Sequence, residues 1–446
     1  DMVSEGLLST LPKSLKEGKV NQADIDKACR RILEAKYKLG LFKDPYKFMD
    51  SKRAKTEIYT PQNLAEARKI AAESYVLLKN ANNTLPLKKQ GTVAVVGPLA
   101  KSAVNMAGTW SVAVPLDKAP TVVQSITDAL GKNGKVIYAK GSNLVADAKL
   151  EEHATMFGRG LGRDNRTKEE LLKEALDAAK QSDVIVAALG ESSEFSGESS
   201  SRTNLNIPDV QQELLAELLK TGKPVVLVLF AGRPMTLSWE QANVPAILNV
   251  WFGGSMAAPA IADVLFGDAN PSGKLPATFP QNVGQIPLFY NHKNTGRPLG
   301  EGKWFEKFRS NYLDVSNEPL YPFGYGLSYT QFSYSDITLS SANLNENGEI
   351  TASVTVTNTG KVEGKEVVQL YIRDIVGSVT RPVKELKGFE KISLKAGESK
   401  TVSFKISPEL LKFYNYDLQY VFEPGDFDVM IGGDSKDVKT ARFTLN

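Results

Sequence analysis

The chain has 446 residues, of which 54 are Lys or Arg and 51 are Asp or Glu, so its formal net charge is +3. This length suggests two or three domains, and the near-balance of charge gives no reason to expect a nucleic acid or an anionic membrane as a partner. No apolar run approaches the roughly 20 residues that span a bilayer. The single cysteine, Cys29, excludes an internal disulfide and a cysteine-based zinc cluster.

The chain contains two histidines, His153 and His292, and neither lies in a recognisable motif. A Ser/His/Asp triad or a histidine metal site would depend on one of these two residues. The sequence therefore predicts neither of these sites, and it predicts no cofactor.

The first fifty residues are predicted to be helical. Asn21 is a good N-cap, and Gly40 is a typical stop signal. Between them lies an apolar face that must pack on something, formed by Ile25, Ala28, Ile32, Leu33, Ala35 and Leu39. The opening residues 1–3 contain no basic region followed by an apolar core, so we expect the chain to begin inside a longer protein.

Residues 61–80 are predicted to form a second helix, with Thr60 as its N-cap and Pro61 at its first position. Strands and helices then alternate over residues 90–290, which indicates a mostly parallel sheet with helices on both faces. Residues 142–166 are polar and are predicted to be irregular. The predicted strands are 92–98, 135–139, 183–189, 224–230 and 246–251, and the predicted helices are 122–130, 168–181, 210–220 and 255–266.

The strand predicted at 183–189 leads into a stretch rich in Ser, Glu and Gly, which we call the acidic loop (residues 191–202). It contains the carboxylates Glu191, Glu194 and Glu198, and it ends at Arg202. Ligands of open α/β sheets bind outside the carboxyl ends of the strands, so the loop is a candidate site. A solvated connection would explain the same composition.

From residue 321 onwards, polar and apolar residues alternate and turn signals recur. Period two with regular turns predicts an antiparallel β-sandwich of about a hundred residues. Its clearest strands are 350–356, 366–372, 400–406 and 427–431. Residues 292–320 are expected to form a packed surface loop between the two modules.

Several segments together resemble glycoside hydrolase family 3, and most closely its bacterial periplasmic β-glucosidases. The segments are SYVLLKN at 74–80 with LPL at 85–87, VVGP at 95–98, NPSGKLP at 270–276, NTGRP at 294–298 and YPFGYGLSY at 321–329. The resemblance covers essentially the whole chain, and taken together these motifs are specific.

The resemblance implies a (β/α)8 barrel, then an α/β sandwich domain, then a fibronectin type III-like domain. Residues 1–60 would be the closing helices of the barrel and a linker, 61–320 the α/β sandwich domain and 321–446 the fibronectin type III-like domain. In this family the barrel supplies an aspartate nucleophile in a Ser-Asp-Trp motif, which this sequence lacks. A periplasmic or secreted location is implied by the resemblance alone.

The second domain of the family supplies the catalytic acid/base, often a glutamate four residues before the arginine of a Glu-Gly-Tyr-Asp-Arg-like motif. Here Glu198 stands four residues before Arg202, and three serines replace Gly-Tyr-Asp. The resemblance thus favours Glu198, with Glu194 and Glu191 as alternatives. Arg202 would brace the loop or pair with a carboxylate, or it would be an ordinary surface arginine. The loop is expected to be mobile in this chain by itself.

Weaker expectations concern four further features. Trp110 would offer an aromatic face to a sugar at an outer subsite, or it would be a buried core residue. His292 and Arg297 would reach the cleft, or they would have a solvated or interdomain role. The aromatics of 304–305 and 321–323 are expected to pack at a domain interface. The β-sandwich would be a buttress rather than a carbohydrate-binding module.

The implied activity is that of a retaining exo-β-glucosidase that releases terminal non-reducing β-D-glucosyl residues. The implied partners are a β-linked oligosaccharide or glucoside and a barrel domain outside this chain; the sequence is also compatible with a homodimer. The alternatives are a β-xylosidase or another exo-glycosidase of the family, or, for this chain alone, a non-catalytic binding or scaffold module.

Overall fold

The computed structural model describes residues 3, 5–111, 115, 118–153, 162–300 and 302–446. The chain divides into two compact units, residues 1–64 and 65–446. Of residues 1–3, only Val3 lies within the described residues. None of the helices in the described ranges is long and apolar enough to cross a membrane.

The first unit is helical, as predicted, and contains α1 (Gly6–Lys16), α2 (Gln22–Lys38) and α3 (Arg53–Glu57). Both predicted ends of α2 are confirmed. The side chain of Asn21 accepts the backbone N–H of Asp24 at 2.9 Å. At the other end Gly40 has φ +77°, and the N–H of Leu41 bonds to the carbonyl of Lys36 at 3.0 Å, which is a Schellman motif.

The apolar face of α2 forms, but none of its residues is buried. Ile32, Leu33 and Leu39 are 60%, 45% and 49% exposed. Such side chains are normally covered, so the expectation that this face packs on something stays a prediction.

The helix α4 (Pro61–Ser74) begins in the first unit and continues into the second, and its first turn is capped by Thr60 Oγ1, 3.1 Å from the N–H of Asn63. The prediction that this helix continues to residue 80 is wrong, because β1 (Val76–Asn80) is a strand. It pairs antiparallel with a buried strand at 246–249. The five residues of β1, VLLKN, are too few to show a periodicity that separates a strand from a buried helical turn.

The mostly parallel sheet is confirmed, with helices on both faces. Its strand order is β1-β6-β5-β4-β2-β3, and every pair is parallel except β1 with β6. The other strands are β2 (Gly91–Val96), β3 (Gly134–Ala139), β4 (Val184–Gly190), β5 (Val225–Phe230) and β6 (Ala246–Asn249). The helices are α5 (Val122–Leu130), α6 (Ala148–His153), α7 (Lys168–Lys180), α8 (Asp209–Leu219), α9 (Ser238–Asn243) and α10 (Ala257–Phe266).

Each strand of this sheet contributes to two cores, because successive side chains point to opposite faces. In β4, Val186 and Ala188 join the core that contains α5 and α10, whereas Ile185 and Ala187 join the core that contains α7 and α8. Burial on both faces is why the strands appear in the sequence as continuous apolar runs.

Among the helices of the α/β region, α6 and α9 were not predicted. Residues 142–166 were expected to be irregular, yet Asp147 Oδ1 accepts the N–H of Lys149 at 2.8 Å where α6 begins. Residues 154–161 of that stretch lie outside the described residues. Both helices have six residues, too few to establish a helical period in the sequence.

The predicted β-sandwich is confirmed and lies within residues 332–446. One sheet has the order β13-β10-β7, with β8 also paired to β10, and the other has the order β12-β11-β16-β17-β9. The elements are β7 (Phe332–Tyr334), β8 (Thr338–Leu339), β9 (Asn343–Leu344), β10 (Ile350–Asn358), β11 (Gly364–Asp374), β12 (Glu385–Leu394), β13 (Ser399–Ile406), α11 (Pro408–Leu411), β14 (Phe413–Tyr414), β15 (Tyr420–Val421), β16 (Gly425–Gly432) and β17 (Val438–Leu445).

A buried ion pair joins the sandwich to the α/β region. Lys274 Nζ lies 3.1 Å from a carboxylate oxygen of Glu366 on β11, and the hydroxyl of Tyr334 donates to the same carboxylate at 2.9 Å. Phe323 stacks on Tyr290 with ring centroids 4.3 Å apart, and Tyr290 meets Tyr371 of β11 edge-on.

The predicted interface packing therefore holds for Phe323, whereas Trp304 and Phe305 are 57% and 46% exposed, so their packing at a domain interface stays a prediction. Tyr321 is buried in the core of the α/β sheet. The domain boundaries expected at 60/61 and 320/321 stay predictions.

Candidate active site

The acidic loop leaves the carboxyl end of β4 from a rigid starting point. Gly190 has φ +124°, and a Cβ there would lie 2.0 Å from the carbonyl oxygen of Phe230 on β5, so only glycine permits this approach. Gln211 of α8 accepts the N–H of Gly190 at 2.8 Å and donates to its carbonyl at 2.9 Å. The N–H of Glu191 then bonds to the Phe230 carbonyl at 2.8 Å.

Glu191 is completely buried and lies between two arginines. Its Oε1 is 2.6 Å from Nη1 of Arg202 and 3.2 Å from Nε of Arg233. The guanidinium of Arg202 also lies over the ring of Phe195, 5.7 Å from its centroid. Charge-assisted bonds of this kind compensate for the water that a buried carboxylate loses. The carboxylate of Glu191 therefore stabilises the conformation of the loop.

Glu194 is 5% exposed and faces a neighbouring loop. The hydroxyl of Thr109 lies 3.4 Å from its Oε2. Asn105 supports the same stretch, since its Oδ1 accepts the N–H of Ser193 at 2.8 Å. Glu194 is therefore also held within the protein. Residues 191–196 are all buried, and we call them the base of the acidic loop.

Glu198 lies on the exposed part of the loop, residues 197–199, which we call the tip. The backbone has positive φ on both sides of it, +115° at Gly197 and +59° at Ser199. These two reversals turn the chain out of the protein surface and back again. A carboxylate on such a projection can meet a molecule that approaches from outside. The expected mobility of the acidic loop stays a prediction. Because residues 191–196 are buried and hydrogen-bonded, we expect that mobility in the tip rather than in the base.

Trp110 is 72% exposed, so the interpretation as a buried core residue is wrong. It adjoins Thr109, whose methyl group packs on Gly197 so closely that a Cβ there would lie 2.5 Å away. Trp110 belongs to a loop and not to a strand or helix, so no hydrophobic period determines its burial. Its ring is presented to solvent next to a residue that supports the tip.

The prediction that Arg202 pairs with a carboxylate is confirmed, and the interpretation as an ordinary surface arginine is wrong, since its side chain is 20% exposed. His292 and Arg297 are both exposed. The carbonyl of His292 accepts the N–H of Val383 at 2.9 Å, and that of Arg297 accepts the N–H of Ser310 at 2.9 Å. Their main-chain contacts thus lie with the β-sandwich and the connecting loop, and a role of either side chain in the cleft stays a prediction.

Sequence reasoning missed Arg233 as a partner of the loop. Its only signal was its place in Gly232–Arg233–Pro234, directly after β5, which neighbours β4. In the described part of the chain, no group of three or more His, Cys, Asp or Glu side chains is placed to hold a metal ion.

Comparison with known families and proteins identifies both domains. The family model described as the glycosyl hydrolase family 3 C-terminal domain matches residues 75–329, and one described as a fibronectin type III-like domain matches residues 366–435.

The relatives are glycosidases that are longer than this chain. A periplasmic beta-glucosidase of Salmonella typhimurium is 50% identical over 447 residues, which cover 100% of this chain and 58% of that protein. A beta-xylosidase of Formosa agariphila is 42% identical over 94% of this chain and 55% of its own length. The crystal structure of a beta-glucosidase from Listeria innocua in complex with isofagomine superimposes with a TM-score of 0.85 at 36% identity, covering 100% of this chain and 58% of that one.

The chain thus spans a little more than half the length of the relatives it matches. The matched residues 75–329 are the ones that build the sheet and the acidic loop, and they make up more than half of the chain. On this evidence the chain belongs to glycosyl hydrolase family 3.

Proposed function

We propose that this chain supplies the acid/base domain of a retaining exo-β-glucosidase, and that Glu198 is the acid/base. The observation that carries the proposal is the unequal placement of the three carboxylates of the acidic loop. Glu191 and Glu194 are buried and hydrogen-bonded within the protein, whereas Glu198 is exposed on the tip. The relatives named beta-glucosidases support the choice of reaction.

The chemistry requires a second carboxylate. A retaining glycosidase places its nucleophile and its acid/base about 5–5.5 Å apart, on either side of the bond that breaks. In the proposed enzyme the nucleophile is an aspartate of a barrel domain, and Glu198 faces it across a cleft between the two domains. The sequence of this chain contains no Ser-Asp-Trp.

The proposed reaction has two steps. In the first, the aspartate attacks the anomeric carbon while the protonated carboxyl of Glu198 gives its proton to the departing glycosidic oxygen. In the second, the ionised Glu198 takes a proton from water as that water attacks the glycosyl-enzyme and releases the sugar. An exposed tip on a fixed base suits both steps, because the same carboxyl must reach first the leaving group and then the water.

The proposed substrate is a short oligosaccharide or glucoside with a terminal non-reducing β-D-glucosyl residue. A β-xylosidase is the second candidate, since a relative named beta-xylosidase is 42% identical. Residues of the barrel would largely decide between the two sugars. We propose a periplasmic location by analogy with the Salmonella relative.

The proposal is tested with Glu198→Ala in the complete polypeptide that includes a barrel. Loss of the acid should slow hydrolysis of a glucoside with a poor leaving group by about 10²–10⁴-fold. An activated aryl glucoside leaves without protonation, so its first step should be much less affected. Azide should restore turnover on that substrate, since it attacks the glycosyl-enzyme without needing a base. Equal loss on both substrates without rescue would move the assignment to Glu194 or Glu191.

A second measurement separates the enzyme from a binding or scaffold module. This chain alone should not hydrolyse aryl glucosides, and the polypeptide with the barrel should. Hydrolysis by the chain alone would contradict the division of the two carboxylates between domains. A complete polypeptide that binds glucosides without cleaving them would favour the non-catalytic alternative.

A further inference from the structure

Arg233 contacts the acidic loop at three separate points. Its Nε lies 3.2 Å from Oε1 of Glu191, and its Nη2 donates to the carbonyl of Ser200 at 2.8 Å and to the carbonyl of Phe195. The arginine belongs to the segment after β5, so these bonds tie the loop to the neighbouring strand of the sheet. Its side chain is 19% exposed.

The two carbonyls that Arg233 binds stand on either side of the tip. Phe195 precedes the tip and Ser200 follows it, so a single nitrogen holds the two ends of the projection together. Bonds from within the loop also join the two sides of the tip, but they are longer: 3.2 Å from Oγ of Ser200 to the carbonyl of Glu194 and 3.4 Å from the N–H of Ser200 to the carbonyl of Gly197. Arg233 therefore adds, from outside the loop, the shorter bonds that hold the two ends of the tip together.

Glu191 and Arg202 keep Arg233 in this orientation. The buried carboxylate pairs with both guanidinium groups, and the guanidinium of Arg202 also lies over the ring of Phe195, the residue whose carbonyl Arg233 binds. A guanidinium is a planar fork that donates in several fixed directions, whereas an ammonium is a single point of charge. Lysine has a single side-chain nitrogen in place of the two, Nε and Nη2, with which Arg233 binds Glu191 and the two carbonyls, so it cannot occupy both positions at once.

We infer that Arg233 is a positioning residue that sets the place of Glu198 by clasping the two ends of the tip. The consequence for the reaction rests on the proposed role of Glu198 as acid/base. An acid must stand within hydrogen-bond reach of the oxygen it protonates, and a displacement of about 1 Å can cost about 10²-fold in rate. Arg233 touches no reacting atom in this mechanism and acts only through the loop.

The clasp, by which we mean the bonds from Arg233 to the carbonyls of Phe195 and Ser200, is tested on this chain by hydrogen exchange, which does not depend on activity. Arg233→Lys is compared with the wild type and with Arg442→Lys, a control whose arginine pairs with Asp428 on the β-sandwich. In Arg233→Lys, amides of residues 195–200 should exchange about tenfold faster, while β4 and β5 stay unchanged. The control should match the wild type throughout. Unchanged exchange at 195–200 would overturn the inference.

The role in the reaction is tested in the complete polypeptide. Arg233→Lys should lower kcat on a glucoside with a poor leaving group by about 100-fold, with KM nearly unchanged and a much smaller loss on an activated aryl glucoside. A merely structural role would lower the rate on both substrates equally, and that outcome would overturn the positioning role. If the wild type hydrolyses neither substrate, the proposed function fails, and the exchange experiment still decides whether the clasp exists.

If Arg233→Lys does not fold, Arg233→Gln replaces it. Arg202 still pairs with Glu191 in this variant, so no lone buried carboxylate remains to unfold the protein. Faster exchange confined to residues 195–200 is again expected. Wild-type exchange there would overturn the inference.

Discussion

The surroundings of Glu191 and of Glu240 differ sharply, although both carboxylates are buried, at 0% and 1% exposure. Glu191 stands after β4 between the guanidinium groups of Arg202 and Arg233. Glu240 stands on α9 and accepts a hydrogen bond at 3.1 Å from the side-chain amide of Gln212. Burial raises the pKa of Glu240 above its usual value, because the amide and a backbone bond only partly replace the lost water.

The difference shows what two cations do for a buried acid. The two arginines bind the carboxylate of Glu191 and so connect separate parts of the acidic loop through it. Beside Glu240 a neutral donor satisfies one oxygen and leaves ionisation unfavourable. Burial alone therefore does not indicate a functional site, whereas burial together with charge partners from separate segments marks the region that the protein holds in a defined geometry.

The largest expected effect is that of Glu191→Ala. Removal of this carboxylate leaves two guanidinium groups facing each other in a mostly buried place, and breaking such a group costs about 3–5 kcal/mol. The free energy of unfolding from urea titration measures this loss. Glu198→Ala is the matched control, and its unfolding midpoint should equal that of the wild type because Glu198 is exposed. A loss below about 1 kcal/mol for Glu191→Ala would break the comparison.

A smaller loss is expected for Arg202→Ala, since Arg233 still neutralises Glu191. A hydrogen bond to a charged group contributes about 1.5–3 kcal/mol, so the free energy of unfolding should fall by that amount. Arg442→Ala removes a guanidinium from an exposed pair with Asp428 and should leave stability unchanged. Equal losses for the two variants would mean that burial of the pair adds nothing.

For Glu240→Gln, in contrast, the free energy of unfolding is expected to rise. The raised pKa means that the folded protein resists ionisation of Glu240, whereas the unfolded chain ionises it near pH 4.3. Below that pH the group is protonated in both states and costs nothing. As the pH rises through the folded pKa, the wild type loses stability that the neutral glutamine keeps.

The unfolding free energies of Glu240→Gln and the wild type, measured between about pH 4 and pH 7.5, test this. The stability of the variant relative to the wild type should increase as the pH rises. A difference that stays constant, or that decreases with rising pH, would contradict the raised pKa of Glu240.

The smallest expected effect is that of Gln212→Lys, which places an ammonium group beside Glu240. A nearby cation lowers the pKa of a carboxyl, so the pH-dependent loss attributed to Glu240 should shrink. The gain at neutral pH should be no more than about 1 kcal/mol, because residue 212 is only half-buried. Gln212→Met removes the amide without adding charge and should enlarge the same pH dependence.

Much of the fold could be predicted because its strands are buried on both faces. Apolar runs bounded by Gly or Pro located β2 to β6, and alternation located the main strands of the sandwich. β1 was mistaken for the end of a helix, because it begins two residues after α4 ends and its five residues are too few to show a strand period. α6 and α9 were not predicted because helices of about one and a half turns are too short to show a hydrophobic periodicity.

The sequence located the candidate site but did not decide which of its carboxylates are buried. The end of β4 and the carboxylates that follow it pointed to the acidic loop. Which of them is buried depends on distant residues: Arg233 lies 42 positions from Glu191 along the chain, and Asn105 lies 88 positions from Ser193. The sequence left open whether Trp110 is a buried core residue or an aromatic face for a sugar, and its loop exposes it to solvent.

By itself, the sequence determined the order of strands and helices, the α/β and β-sandwich classes, the family and the loop that carries the candidate acid. These depend on local patterns and motifs, which side-chain period and turn chemistry control over a few residues. Only the tertiary structure decided that Glu191 is held between two arginines while Glu198 projects into solvent. All three glutamates stand in similar Ser- and Gly-rich surroundings, and their environments diverge only when neighbouring strands bring Arg233 and the 105–110 loop against the base.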